Sequence, residues 1–154
     1  MNSDVTFAKP FISATNNVLS TMAGITPVPG APFVKKDNIA CGDVSAIIGL
    51  TGEKRGSISV TFSKKCAIAL VRAMLGDDVQ DIISDTKDAV GEICNMISGQ
   101  ARAGLAEVGI KCDGSTPSII MGADHTVSHV TSSPVIAVPF TTPHGDFTIE
   151  FCFG

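Results

Sequence analysis

The chain runs through one order of elements twice: a segment apolar at helical spacing, then three segments of extended character. In the first pass, residues 11–23 place Phe11, Thr15, Val18, Leu19 and Met22 on one helical face, with Pro10 suited to the first turn and Gly24 to the C-terminal cap. The Pro- and Gly-rich residues 25–33 cannot be helix and read as a loop leading into an edge strand. Val44, Ala46, Ile48 and Leu50 alternate, as do Ile58, Val60 and Phe62 against Ser57, Ser59, Thr61 and Ser63. The polar turn 51–56 between these runs makes a β-hairpin. Residues 64–75 are helical by the spacing of Ile68, Val71 and Leu75, stop at Gly76, and give way to an acidic connection over 77–81. The second pass opens with a long helix over 84–108, for which Ser84 is the expected N-cap. Strands follow at 117–121, 135–141 and 145–153, the last two joined by a turn at Pro143, His144 and Gly145. In the final strand Phe147, Ile149, Phe151 and Phe153 share one face, and Thr148, Glu150 and Cys152 the other.

A repeated helix-then-strands unit predicts an α+β fold, an α/β sandwich made by degenerate duplication, with a mixed or antiparallel sheet and long helices packed on it. The 154 residues fit a single domain, 1–154. With no Trp, no Tyr and a net charge of −4, the chain lacks both the stacking platforms and the basic surface of a nucleic-acid binder. Its five cysteines are odd in number and form no CxxC pair, the usage of a reducing compartment. The first ten residues hold one Lys and no apolar core, so they do not read as a signal peptide, and the longest unbroken apolar stretch, 67–71, is far too short to span a bilayer. A cytoplasmic protein is expected.

The long helix carries two opposed faces. At 100° per residue, Val90, Ile93, Ile97 and Ala101 fall on one side, while Asp88, Glu92, Asn95, Gly99 and Arg102 fall in a stripe about 80° wide on the other. Glu92 and Asn95 are neighbours one turn apart on that stripe. Glycine costs a helix interior about 1 kcal/mol against alanine, yet Gly91, Gly99 and Gly104 all occur here, which suggests that something approaches the helix closely. Spacing alone does not set Glu92 and Asn95 apart, since ExxN is common on exposed helix faces.

The wider pattern does. Asp88, Glu92 and Asn95, followed by Pro117 after 21 intervening residues, resemble the signature of the CheC/CheX/FliY phosphatases: Asp or Ser, three residues, Glu, two residues, Asn, a gap of this length, then Pro. The segment from Pro10 to Met22 resembles the first helix of the CheX branch. CheC-type members are expected to carry a second such motif on the first helix. Here Ser13 and Ala14 stand three residues before Asn16 and Asn17, so there is one site per chain, as in the CheX branch.

The resemblance implies a phosphatase acting on the phospho-aspartate of a CheY-like response regulator. Asn95 would enter the regulator's site and orient the attacking water, its amide offering a donor and an acceptor without charge. Glu92 would pair with the regulator's lysine, while Asp88, Gly99 and Pro117 would support the motif. The regulator brings its own Mg²⁺, so the chain is expected to need no metal or cofactor of its own. The rival reading is a non-catalytic module that binds a regulator or a flagellar or signalling assembly; a docking helix alone has no need of the Asn95 amide.

Other candidates read as ordinary surface or packing. His125 and His129 are four residues apart but sit in a loop or strand context without HExxH or Cys support. Asp77, Asp78, Asp81, Asp85 and Asp88 suit a solvated helix start, and Cys94 points to the buried side. A sheet in so short a chain leaves edges. The strands 135–141 and 145–153 have few defences, so a symmetric homodimer by edge pairing is expected, as the resemblance also implies, with both Glu92–Asn95 faces open and an interface well over about 1,000 Å².

Overall fold

The longer alternating runs become the central strands of one eight-stranded antiparallel sheet in the computed structural model, which describes residues 8–36, 42–76, 79, 81–122 and 134–153. The chain order is helix α1 (Ala8–Ala23), strands β1 (Val28–Pro29), β2 (Phe33–Lys35), β3 (Val44–Gly52) and β4 (Gly56–Phe62), helices α2 (Lys64–Leu75) and α3 (Ile82–Glu107), then β5 (Cys112–Gly114), β6 (Ser118–Met121), β7 (Val135–Thr142) and β8 (Gly145–Phe153). The fold is α+β, and every pairing among the described strands is antiparallel.

The order across the sheet, β1-β7-β8-β4-β3-β5, exposes the duplication. Each half contributes a long hairpin, β3–β4 or β7–β8, and the two hairpins meet at the centre through β4 and β8. Each half also sends two short strands across to the other half's hairpin: β1 and β2 pair with β7, while β5 and β6 pair with β3. The Pro-rich segment does form an edge. The expectation that 135–141 and 145–153 are unprotected edges is overturned, because β8 lies between β4 and β7, and β7 between β8 and the β1–β2 segment. Strand order depends on which hairpins meet, and local alternation carries no record of that.

The helices cover one face of the sheet. Phe11 of α1 stacks on Phe151 of β8 with ring centroids 4.4 Å apart, and Phe140 stacks on Phe147 at 4.8 Å. Such pairs add about 0.5–1.5 kcal/mol each beyond the area they bury. The opposite face is built of small and polar side chains, Ser45, Ser57, Ser59, Thr61, Thr148 and Glu150, all buried.

Helix ends follow their local chemistry. Gly24, at φ +64°, ends α1, its N–H donating to the Ser20 carbonyl at 3.2 Å. Helix α3 begins earlier than Ser84: Asp81 is its N-cap, with Oδ1 accepting from the N–H of Ile83 at 3.0 Å and of Ser84 at 3.3 Å. Ile82 and Ile83 are exposed, so apolar spacing gave no sign of this first turn. No helix among the described residues is long and apolar enough to cross a membrane.

Candidate functional site

Helix α3 is 26 residues long and lies against the sheet along one flank. Val90, Ile93, Ile97 and Ala101 are fully buried, as their spacing predicts, and Asp88, Glu92 and Asn95 are exposed on the far side. Three residues of rise separate Glu92 from Asn95 by about 4.5 Å along the axis, so the carboxylate and the amide stand side by side on an open helix face. Gly99, one turn on, is open as well: a Cβ there would meet only the Arg102 Nη2, at 4.0 Å.

The other glycines have different reasons. Gly104 faces α1, where a Cβ would lie 3.0 Å from the Pro10 Cβ, so its bareness serves helix–helix packing and not the approach of an outside molecule. Gly91 faces β6 and the residue before it; a Cβ would lie 3.4 Å from the Ile119 Cδ1 and 3.9 Å from the Pro117 Cγ. Pro117 therefore sits beside the helix position that immediately precedes Glu92. It packs the strand entry against the helix beside the motif.

Arg102, placed by spacing on the exposed stripe, is half-buried, and its Nε donates to the Ser98 Oγ at 3.3 Å. Ser98 is buried, and both side chains lie over Gly114 of β5, where a Cβ would come within 3.2 Å of the Ser98 Oγ and the Arg102 Nε. Sequence reasoning gave neither Ser98 nor Gly114 a role; the only trace was a Gly in a run that β5 turned into a strand.

Two grooves border α3, and neither is lined by Glu92 or Asn95. One, of about 710 Å³, runs between α1 and α3 past Ser13, Asn17 and Gln100; the other, of about 440 Å³, lies between α2 and the start of α3. Within the first, the Asn17 Nδ2 donates to the Gln100 Oε1 at 2.8 Å, so this asparagine is engaged in joining helices. An exposed pair outside both of these grooves suits a macromolecular substrate that brings its own concavity better than a small molecule.

Cys66, Cys94 and Cys112 are not poised for nucleophilic chemistry. Burial pushes the Cys94 thiol up to about 12 and Cys66 up to about 11, the latter despite a hydrogen bond with Thr142 that acts the other way. Burial also raises Cys112, against the pull of nearby Arg102. Among the described residues no cluster of His, Cys, Asp and Glu has the makings of a metal site. His125, His129, Asp77 and Asp78 lie outside the described residues.

Comparison with known proteins agrees with this architecture. The family model for the chemotaxis phosphatase CheX matches residues 44–141, well over half of the chain. The chain belongs to this family of phosphatases. It is 26% identical over 122 residues, 79% of either chain, to the CheY-P phosphatase CheX of Thermotoga maritima. Among solved structures it is similar to a chemotaxis protein CheX from Desulfovibrio desulfuricans, at 69% identity and a TM-score of 0.93, covering 97% of this chain and 100% of that one. It also resembles a chain of the CheX–CheY–BeF3–Mg²⁺ complex from Borrelia burgdorferi, at 25% identity and a TM-score of 0.77, covering 97% and 98% respectively.

Proposed function

We propose that this phosphatase hydrolyses the phospho-aspartate of a CheY-like response regulator, with Asn95 orienting the attacking water and Glu92 pairing with the regulator's active-site lysine. The observation that carries this reading is the exposed Glu92–Asn95 pair on a helix whose opposite flank is fully buried. The names of two relatives support the substrate: one is called a CheY-P phosphatase, and another was solved with CheY, BeF3 and Mg²⁺.

In the reaction the water oxygen forms a bond to phosphorus as the bond from phosphorus to the aspartate oxygen breaks. The aspartate leaves as a carboxylate, and the water's protons pass to phosphate and solvent. Such a transfer demands alignment more than added charge. Asn95 supplies alignment, since its carbonyl oxygen accepts a hydrogen bond from the water while its amide donates to a neighbouring oxygen. Glu92 supplies register through a charge-assisted contact. Mg²⁺ and the lysine belong to the regulator in this scheme, and the chain contributes no cofactor.

The protein works as a symmetric homodimer in this reading, joined through the β1–β2 edge. Val28, Phe33 and Val34 are exposed there, at 60%, 46% and 39%. That edge lies at the opposite end of the sheet from β5 and β6, which flank the Glu92–Asn95 face, so pairing through it leaves both faces open.

The test follows the decay of a phosphorylated CheY-type regulator with and without the protein. The parent should speed phosphate release, and Asn95→Ala should bind without speeding it. Binding by the parent with no gain in release would replace the enzyme reading with that of a docking module for the regulator.

A further inference from the structure

We propose that Arg102 is a specificity-determining contact, its guanidinium receiving a surface carboxylate of the regulator at the far end of the Glu92–Asn95 row. This rests on the phosphatase reading of that row. Arg102 follows Asn95 by seven residues, two turns and about 10 Å along the same flank of α3.

The side chain is held in place without being neutralised. Its Nε donates to the buried Ser98 Oγ, and the Nε–Cζ edge of the guanidinium lies over bare backbone at Gly114, where a Cβ would come within 3.3 Å of the guanidinium carbon, so the two terminal nitrogens are the ones left to an incoming group. Among the described residues Ser98 is its one hydrogen-bond partner, and no carboxylate lies within ion-pair distance of it. A guanidinium has five donors in a planar fork, so the four on the two terminal nitrogens remain for an incoming group. Gly99 leaves open the space in front of them.

Charge then fixes orientation. Along the row, Asp88 and Glu92 are acidic, Asn95 is neutral and Arg102 is basic. A partner that sets a lysine on Glu92 gains most by setting a carboxylate on Arg102, and the reversed orientation drives that lysine against the guanidinium. Like-charge contact of this kind rejects wrong poses and wrong partners more strongly than matched charge adds affinity. A carboxylate matches the planar fork with two parallel hydrogen bonds, which a lysine at position 102 cannot reproduce.

The experiment measures steady-state phosphate release from a phosphorylated CheY-type regulator at low and moderate salt, with the full chain. Arg102→Gln keeps a donor for Ser98 and should raise KM by about threefold to tenfold while kcat stays within about twofold, with a flatter salt dependence. Arg102→Glu should raise KM further, and Arg102→Lys should fall between parent and Gln. Asn95→Ala should show the opposite split, losing kcat at an unchanged KM. Thermal melts identify any variant that fails to fold, and Arg102→Lys, which keeps stem and charge, then carries the comparison. An active parent whose folded Arg102 variants keep the parent KM overturns this proposal alone; a parent that releases no phosphate from any regulator overturns the phosphatase reading with it.

Discussion

The Lys35 Nζ lies 2.7 Å from the Glu150 Oε2 on the sheet face turned away from the helices, and both side chains are almost wholly buried. This pair ties the short strand β2 to the central strand β8 across β7. Removing one member of a buried ion pair costs about 3–5 kcal/mol, so Lys35→Met should lower unfolding free energy by up to roughly that amount in urea titrations. Lys35→Met with Glu150→Leu should recover much of the loss. A single variant as stable as the parent would show that the pair holds nothing.

Asn95→Ala and Glu92→Ala should leave stability within about 0.5 kcal/mol of the parent, because both side chains are exposed on a helix that alanine suits. In regulator dephosphorylation the first should lose at least an order of magnitude in kcat, the scale on which misplaced reacting groups are felt. Glu92→Lys should bind worse than Glu92→Ala, through repulsion by the regulator's lysine. Equal binding of those two variants would remove the proposed pairing.

Gly99→Ala should separate stability from activity. The added methyl meets only the Arg102 Nη2, at an unstrained 4.0 Å, so the helix gains up to about 1 kcal/mol, while a regulator docking over Gly99 is pushed back and phosphate release falls. Gly104→Ala meets Pro10 at 3.0 Å instead and should lose that gain as α1 and α3 are forced apart. Melting curves and release assays on the two variants check both halves of the contrast.

Unfolded thiols titrate near 9.0, whereas Cys66 and Cys94 in the folded chain are pushed up to about 11 and about 12. Between those values the unfolded chain binds fewer protons than the native one, so stability falls as pH rises. The contribution is fully present below 9.0 and is lost as pH climbs through about 11 to 12. Urea midpoints from pH 8 to about pH 10.5 should fall less steeply in Cys94→Ala than in the parent. Parallel slopes would mean that Cys94 does not carry the linkage.

The dimer has a direct check in the mass at micromolar concentration. Parent protein should sediment as two chains, and Phe33→Glu with Val34→Lys, which place charge on the exposed β2 edge, as one. A parent that sediments as one chain would refute the assembly.

The sequence was legible wherever one residue's neighbours along the chain are also its neighbours in space. Val90, Ile93, Ile97 and Ala101 announced the buried flank of α3, and Phe147, Ile149, Phe151 and Phe153 announced the helix-facing side of β8. The candidate pair was found from the same periodicity joined to a motif. What stayed hidden is long-range. Pro10 explains Gly104 and Arg102 explains Gly114, but each pair is far apart in the chain. The three-residue strand β5, Cys-Asp-Gly, has no alternation to read and exists because β3 offers it an edge. The exposed Ile82 and Ile83 break the pattern that marks a helix start, which hides Asp81 as the cap of α3.

One consequence of how α3 is mounted concerns control. Glu92 and Asn95 stand mid-way along an unbroken helix whose underside is packed into the core, so their spacing belongs to the part of the molecule that deforms least. In the proposed reading the pair is held at a fixed spacing and is not assembled on demand. On that reading a cell would tune the output through quantities outside the site: how many copies are made, how many are tethered elsewhere, and how much substrate stands free. On the proposed reading the protein would keep time at a fixed rate, and the length of the signal would be set by the ratio of clocks to messages.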